Sequence, residues 1–410
     1  MANLKKSMAR NLKTKDCLSG KIDLFFFPVQ ISNGWIGFLS RFPEELYCNK
    51  SLNHRGEESV RITANQLTIS RMISLPIPCI LLYGGVEAKL VALFLFAVLG
   101  FTDYFDGVLA RRDGTTPFGT LFDPIADKIF ITVIYIPFIQ LGYIPLWTAL
   151  LLFLREFLIT EVRRLLSQKK MELRVTELAK SKTTIQMAGS AFILLVHLIS
   201  NRLLAIAVFS LPVIFTLIIV ARSLIRKGSV SQRPALALSC FSYILLVRLF
   251  FTPQWSAFLF MMVILGFTYA SGIQYIMGSY STWTGINGNP FLVFLRLINS
   301  FLIPMLALTM LYFVRNLSWM VILILSFDFA SQGLDTWIST LGKEERIKDR
   351  LKHAVIIPLA LGVGIVFLIL TDIRTTATAF VWISFSLSTL YMAVDFYGHR
   401  KLLVASTAPR

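Results

Sequence analysis

The sequence predicts an all-α protein whose helices cross a membrane many times, and two observations support this class. Hydrophobic residues make up 55% of the 410 residues, charged residues make up 15%, and the mean hydropathy is +0.68. This composition is too apolar for a water-soluble domain of that length. Apolar runs of about 20 residues, the length of a helix that crosses a bilayer, also recur from residue 62 onwards.

These runs fall into two groups. The first covers 63–85, 89–110, 125–144, 146–166, 184–201 and 203–222, and the second covers 235–252, 256–279, 290–313, 317–340, 353–371 and 376–397. We therefore expect a six-helix membrane domain at 62–227 and a C-terminal domain of about six further transmembrane helices at 228–410. Residues 1–61 are polar without a sustained amphipathic pattern, which favours a cytoplasmic segment over a helix lying on lipid headgroups.

The charge pattern predicts the orientation. Lys and Arg number 40 against 23 acids, an excess that can also indicate nucleic-acid binding. Here the basic residues concentrate in alternate connections, at 111–112, 163–182 and 222–233, whereas the turns near Gly85, Gly142 and Asn201 are short and nearly uncharged. The positive-inside rule then predicts a multi-pass protein of a bacterial inner membrane with its basic connections in the cytoplasm, and no nucleic-acid partner. The cysteines lack the spacing of a disulfide framework or a zinc site.

Four carboxylates stand out in the stretch DYFDGVLARRDGTTPFGTLFDPIAD. Asp103 and Asp106 are three residues apart, Asp123 and Asp127 are four apart, and each pair therefore shares one face of its helix. Four anions beside a low-dielectric layer repel one another and require cations. Oxygen ligands without His or Cys suit Mg²⁺, Mn²⁺ or Ca²⁺. Two such ions would neutralise a pyrophosphate and its leaving oxygen.

Small and basic residues accompany the aspartates. Gly107 and Gly119 lack side chains and so allow a ligand to approach the backbone closely. Ala110 keeps the same face small, and Arg111 offers a planar fork for phosphate oxygens. Each residue has an ordinary role when it is considered alone, in helix packing or topology. Together they favour a metal-dependent site for a phosphate ester.

The combined pattern resembles the signature of the CDP-alcohol phosphatidyltransferases. It reads Asp103-x2-Asp106-Gly107-x2-Ala110-Arg111-x7-Gly119-x3-Asp123-x3-Asp127. The gap before Gly119 is one residue shorter than is usual in the family, and the missing residue falls in the turn at 112–118, where we expect it to be tolerated. Asn65, Thr68 and Arg71 resemble the family's opening helix, and 155–164 and 180–187 resemble the phosphatidylglycerophosphate synthases within it. The similarity covers 62–227.

The resemblance implies an enzyme that transfers a phosphatidyl group from a CDP-linked lipid to an alcohol and releases CMP. Asp103, Asp106, Asp123 and Asp127 would bind two Mg²⁺ or Mn²⁺ ions, and Asp127 would also act as the general base. The residues implied at the CDP moiety are Asn65, Thr68, Gly107, Ala110, Arg111 and Gly119. A homodimer is also implied. We expect CDP-diacylglycerol as donor and phosphatidylglycerophosphate as product.

The acceptor alcohol depends on a second set of basic residues. Arg155 lies inside an apolar run, where we expect it to pair with Glu156 or Glu161 or to face an anionic pocket. With Arg163, Lys180 and Lys182 it would bind the phosphate of glycerol 3-phosphate. Anchoring of helix ends at the membrane surface is the alternative for these residues. An acceptor such as inositol phosphate or serine is the alternative for the reaction.

The C-terminal domain lacks a comparable set of residues. Asp328 and Asp335 share one face of a predicted span, and Arg248 and Arg296 also lie in apolar runs. They would either line a polar path or join helices, and the sequence favours the second role. The sequence leaves the role of this domain open between a lipid-handling partner of the enzyme, an oligomerisation module and a transporter-like unit. The rival hypothesis is a transport or scaffold protein that carries a vestigial transferase domain.

Overall fold

The structure is a computed structural model that describes residues 50–52, 58–60, 64–113, 116–167, 177–199, 201–227, 232–279, 290–340, 347–371 and 374–400. These residues belong to one compact unit, Lys50–Arg410. The predicted segment 1–61 lies outside the description, apart from a short antiparallel pair formed by β1 (Lys50–Leu52) and β2 (Glu58–Val60). The rest of the described chain is helical, which confirms the predicted all-α membrane fold.

The N-terminal helices are α1 (Ala64–Ser74), α2 (Pro76–Leu81), α3 (Val86–Asp113), α4 (Pro117–Gln140), α5 (Leu146–Ser167), α6 (Glu177–Leu198) and α7 (Arg202–Lys227). The C-terminal helices are α8 (Gln232–Phe250), α9 (Pro253–Ser279), α10 (Pro290–Phe313), α11 (Ser318–Thr340), α12 (Ile347–Thr371) and α13 (Arg374–Gly398), with a 3₁₀ turn at Arg315–Leu317. Every predicted span corresponds to a helix in this order, except that the first is divided into α1 and α2.

Two helix boundaries differ from the apolar runs for local reasons. The first span divides at Leu75 because Pro76 and Pro78 each lack a backbone donor for the helical ladder. Helix α4 begins at Pro117, well before the predicted start at 125, because the Thr116 side chain caps it by accepting a hydrogen bond from the Gly119 backbone N–H at 3.0 Å. Because of this cap, α4 begins before the apolar run, and Asp123 lies within the helix.

Five described helical segments are long and apolar enough to cross a membrane. They are Val86–Gly107, Arg202–Ile225, Pro253–Met277, Ser318–Ile338 and Thr375–Gly398, and shorter apolar segments lie at Leu238–Phe250, Leu297–Phe313 and Ile356–Leu370. The protein interior buries only 18% of the apolar window of α3 and 17% of that of α7. Their exposed side chains, such as Phe94 and Leu203, would face lipid.

Helices α4 and α5 form the centre of the core. Phe138 on α4 and Phe153 on α5 are fully buried. The C-terminal helices pack directly on this centre, since α9 contacts α5 and α6, α10 contacts α5, and α11 contacts α4 and α5. The two predicted membrane domains therefore share one hydrophobic core.

The weakly charged turns meet at one end of the bundle. The Lys89 amine lies 5.5 Å from the centroid of the Tyr143 ring, which stacks on His197 at 4.0 Å. Buried Arg248 donates a hydrogen bond to the carbonyl of Ile199 at 3.3 Å, close to the C-terminus of α6. Of the two roles that the sequence left open for Arg248, this contact supports the joining of helices.

The predicted connection at 342–352 lies partly outside the described residues, and the Arg296 side chain lies entirely outside them.

Candidate active site

Helix α1 brings the four aspartates together at the end of the bundle opposite these turns. Asp103 and Asp106 project from α3, and Asp123 and Asp127 project from α4. The Thr68 hydroxyl lies 3.2 Å from Asp106 Oδ2 and 3.0 Å from Asp123 Oδ1, and Thr68 is only 1% exposed. The hydroxyl also lies 3.2 Å from the carbonyl of Ala64, so its one hydrogen has three acceptors within reach, two of which are carboxylates on different helices.

Arg71 provides the positive charge inside this cluster. Its guanidinium donates a hydrogen bond to Asp103, and its Nη2 lies 3.6 Å from Asp127 Oδ1. The arginine is 1% exposed, so its charge is taken out of water and depends on these carboxylates. The sequence analysis placed Arg71 only in the opening helix of the resemblance and not among the site residues. Its position inside an apolar run is the signal that would have identified it.

The donor chemistry of the cluster fits a divalent cation. Four carboxylates surround one guanidinium, which leaves an excess of negative charge. Oδ1 of Asp127 is buried and accepts no hydrogen bond within the described residues, although the side chain as a whole is 31% exposed. No described group of three or more His, Cys, Asp or Glu side chains is arranged to hold a metal ion as it stands. Arg71 lies between the carboxylates, which would have to approach one another to share a cation.

The two glycines of the signature have different surroundings. A Cβ added to Gly107 would have no described heavy atom within 4 Å, so this face of α3 is open to a ligand. At Gly119 the added Cβ would lie 3.1 Å from Asn65 Oδ1 and 3.3 Å from Thr116 Oγ1. The Thr116 hydroxyl donates to Asn65 at 2.9 Å. Gly119 therefore permits the close packing of α1 on the start of α4, and Thr116 is a site-supporting residue that the sequence analysis missed.

Glu156 on α5 is the centre of the basic side of the site. Its carboxylate accepts hydrogen bonds from the Lys182 amine at 2.7 Å to both oxygens, from Arg155 at 3.2 Å and from Gln186 at 3.2 Å. Glu156 is 4% exposed and Arg155 is 7% exposed. Two of the four predicted acceptor residues are thus held by one buried acid.

The remaining acid of α5 has a different partner. Glu161 is buried and accepts hydrogen bonds from Arg164 Nε at 3.1 Å and 3.0 Å. Of the two acids offered by the sequence, Arg155 therefore pairs with Glu156. Arg163 is exposed, and its guanidinium carbon lies 5.8 Å from the centroid of the Tyr275 ring.

Three predicted side chains are outside the description. Ala110 and Arg111 belong to α3 and Lys180 belongs to α6, and their contacts lie beyond the described part of the chain. Lys128, which the sequence analysis did not include, donates to the Thr160 hydroxyl at 2.6 Å and interacts electrostatically with Arg163, Lys182 and Asp127. A cation directly after Asp127 in an apolar run was the available signal.

Asp127 lies between the aspartate cluster and the basic cluster around Glu156. It interacts electrostatically with Arg71 and Asp103 on one side and with Lys182 on the other. The fold and the site together define a membrane-embedded helical protein in which an oxygen-donor cluster adjoins a basic cluster. Such an arrangement suits chemistry on phosphate esters at a membrane surface.

Comparison with known proteins identifies the family. Residues 61–218 match the family model described as CDP-alcohol phosphatidyltransferase. A relative from Rickettsia typhi, named CDP-diacylglycerol--glycerol-3-phosphate 3-phosphatidyltransferase, is 37% identical over 134 residues, which are 32% of this chain and 75% of the relative. The chain belongs to the CDP-alcohol phosphatidyltransferase family. No solved structure matches it.

Two further relatives extend the similarity along the domain. A Mycobacterium tuberculosis protein named probable phosphatidylglycerophosphate synthase is 33% identical over 186 residues, or 43% of this chain and 88% of the relative. A Salmonella choleraesuis protein with the same name as the Rickettsia relative is 31% identical over 158 residues, or 37% of this chain and 86% of the relative. The matched stretches of these three relatives cover less than half of this chain.

Proposed function

We propose that the protein transfers the phosphatidyl group of CDP-diacylglycerol to glycerol 3-phosphate, giving phosphatidylglycerophosphate and CMP. The observation that carries this proposal is the position of Asp127, between a cluster of four carboxylates and a cluster of basic residues. The names of the relatives support the choice of donor and acceptor. The reaction would be a step of phospholipid biosynthesis.

The carboxylate side would hold the metal and start the reaction. Asp103, Asp106, Asp123 and Asp127 would bind Mg²⁺ or Mn²⁺, which when bound neutralises the pyrophosphate and polarises the attacked phosphorus. Asp127 would take the proton from the acceptor hydroxyl, because its side chain is 31% exposed and lies beside the basic cluster, where a carboxylate can accept a proton. The acceptor oxygen then forms a bond to the β-phosphorus as the bond to the CMP oxygen breaks.

The nucleotide would lie along α1 and α3. Gly107 presents an open backbone surface, and Thr68 lies beside two of the carboxylates. We assign the CDP moiety to this face, with Asn65, Gly119, Ala110 and Arg111 around it. In this assignment Asn65 and Gly119 act mainly through the packing of α1 on α4, since they contact each other and Thr116.

The acceptor phosphate would bind on the basic side. Arg163 is exposed, and its guanidinium carbon lies 5.8 Å from the centroid of the Tyr275 ring, so the side of the guanidinium that faces solvent can reach an anion. Lys182 and Arg155 share Glu156, and Lys180 precedes Lys182 by half a turn. We assign all four residues to the phosphate of glycerol 3-phosphate. The site would face the cytoplasm of a bacterial inner membrane, and the family resemblance leads us to expect a homodimer.

An acceptor panel with the purified full-length protein tests the proposal. CMP release from CDP-diacylglycerol is measured with glycerol 3-phosphate, inositol phosphate or serine as the only acceptor. We expect release with glycerol 3-phosphate alone, its loss on addition of a metal chelator, and its return with excess Mg²⁺ or Mn²⁺. Release with another alcohol would identify that alcohol as the acceptor. No release with any acceptor would favour the rival hypothesis of a transport or scaffold protein.

A further inference from the structure

We infer that the C-terminal half of the chain completes the acceptor side of the active site, with Ser271 and Thr268 of α9 as positioning residues. This inference rests on the proposed function. The described basic side chains at the site each reach α9 or α11, either directly or, for Lys182, through Glu156 and Gln186. The C-terminal half thereby acquires a defined part in the reaction.

The first contact joins Arg155 to α9. The Ser271 hydroxyl accepts a hydrogen bond from Arg155 Nη2 at 2.6 Å and donates its own hydrogen to the carbonyl of Thr268 at 2.9 Å. Ser271 is 1% exposed, so this hydroxyl is committed to the arginine in a site without competing bulk water. A Cβ added to the adjacent Gly272 would lie 3.1 Å from Arg155 Nε, which shows how closely the guanidinium approaches the α9 backbone.

The second contact reaches Lys182 through a relay. Gln186 Nε2 lies 3.1 Å from the Thr268 hydroxyl and 3.2 Å from Glu156 Oε1. Glu156 in turn accepts from the Lys182 amine at 2.7 Å. Thr268 and Gln186 are fully buried. Helix α9 therefore sets the position of the carboxylate on which both Arg155 and Lys182 depend.

The third set of contacts is aromatic. Tyr275 of α9 lies under the Arg163 guanidinium, 5.8 Å from ring centroid to guanidinium carbon. Phe329 of α11 lies 5.2 Å from the Lys128 amine and stacks on Phe157 at 3.8 Å between ring centroids. Both rings offer a π face to a cation. Neither ring places a negative charge beside Arg163 or Lys128, so these contacts fix the positions of the two side chains without adding a counter-ion.

The described partners of the four aspartates lie on α1. The hydrogen bonds and ion pairs that the structure describes for Asp103, Asp106, Asp123 and Asp127 come from Thr68 and Arg71 of α1. Loss of an α9 contact is therefore expected to weaken the acceptor and to spare the lipid donor. This selectivity separates a positioning role from general support of the fold.

The test compares four variants of the full-length protein: Ser271→Ala, Thr268→Val, Thr268→Ser and Ser300→Ala. We expect Ser271→Ala and Thr268→Val to raise KM for glycerol 3-phosphate about tenfold, with KM for CDP-diacylglycerol unchanged, because each removes a buried hydrogen bond next to a charged group. Thr268→Ser keeps the hydroxyl and should restore the wild-type KM.

Ser300→Ala is the matched control. Ser300 is 2% exposed on α10 and donates to the carbonyl of Leu297 at 2.7 Å, as Ser271 does within α9. We expect no change in either KM. Equal rises in both KM values, or a Thr268→Ser variant as impaired as Thr268→Val, would overturn the positioning role. If the wild type transfers to glycerol 3-phosphate and all four variants match it, only this inference fails. Absence of transfer by the wild type would overturn the proposed function and this inference together.

Discussion

The two sides of the site are assembled in different ways. The aspartate side uses α1, α3 and α4, which are close in sequence, and its ion pairs converge on the single buried Arg71. On the basic side, residues of α5 and α6 meet α9 through hydrogen bonds that join positions 116 and 82 residues apart. Lys128 of α4 and Phe157 of α5 contact the Phe329 ring of α11. The first side would carry out the chemistry, and the second would recognise the acceptor. On the proposed function, the chemistry would depend on the six-helix domain, whereas acceptor recognition would also involve the C-terminal half.

The largest expected effect comes from removing the base at the junction of the two sides. Asp127→Asn should lower kcat roughly 10²–10⁴-fold, because the amide cannot take the proton of the acceptor hydroxyl. The measurement is CMP release at saturating substrates. Asp395→Asn is the control, since Asp395 lies on α13 and contacts Ser331 and His399 instead of the aspartate cluster. Full activity of Asp127→Asn would remove Asp127 from the mechanism.

Arg71 tests whether the aspartate side depends on one internal cation. Arg71→Met should destabilise the protein by about 3–5 kcal/mol, the usual cost of leaving buried charges without a partner. Thermal unfolding in detergent measures this loss, and added Mg²⁺ should recover more stability in the variant than in the wild type. An unfolding temperature equal to that of the wild type would contradict the central position of Arg71.

The two signature glycines should respond in opposite ways. The added methyl group of Gly107→Ala would have no heavy atom of the described residues within 4 Å, so the change should raise stability by about 0.5–1 kcal/mol through better helix propensity. The same methyl group should raise KM for CDP-diacylglycerol by roughly 10–200-fold if the nucleotide lies there. Gly119→Ala should lower stability, because its Cβ would lie 3.1 Å from Asn65. Unchanged donor binding in Gly107→Ala would move the nucleotide away from this face of α3.

Thr68→Val should act on the metal requirement of the aspartate side and leave the acceptor side unchanged. It removes the hydroxyl between Asp106 and Asp123 while keeping the shape of the side chain. The loss of a hydrogen bond to a charged group corresponds to about 1.5–3 kcal/mol. We expect half-maximal activity to require more Mg²⁺, with KM for glycerol 3-phosphate unchanged. A change in KM for glycerol 3-phosphate without a change in the Mg²⁺ requirement would contradict separate roles for the aspartate side and the basic side.

Sequence reasoning identified the fold because its evidence is local. Apolar runs predicted each helix, whereas Pro76 divides the first span and the Thr116 cap moves the start of α4. Helices α6 and α12 also begin before their apolar runs, at Glu177 and Ile347. The aspartates were equally accessible, since spacings of three and four residues place them on single helix faces. Arg71 and Lys128 carried a local signal, a cation inside an apolar run, but their partners on other helices could not be deduced from it. Contacts such as Arg155 with Ser271 depend on helix packing across the chain, which no local pattern encodes.

The division of labour between the two sides can be tested most directly with Arg163→Gln. Because Arg163 is exposed, its replacement should leave the fold intact. CMP release is measured for the wild type and the variant with glycerol 3-phosphate and with glycerol. We predict that the wild type strongly prefers the phosphorylated acceptor and that the variant reduces this preference about tenfold, with KM for CDP-diacylglycerol unchanged. Equal use of glycerol by the wild type, or an undiminished preference in the variant, would contradict the account.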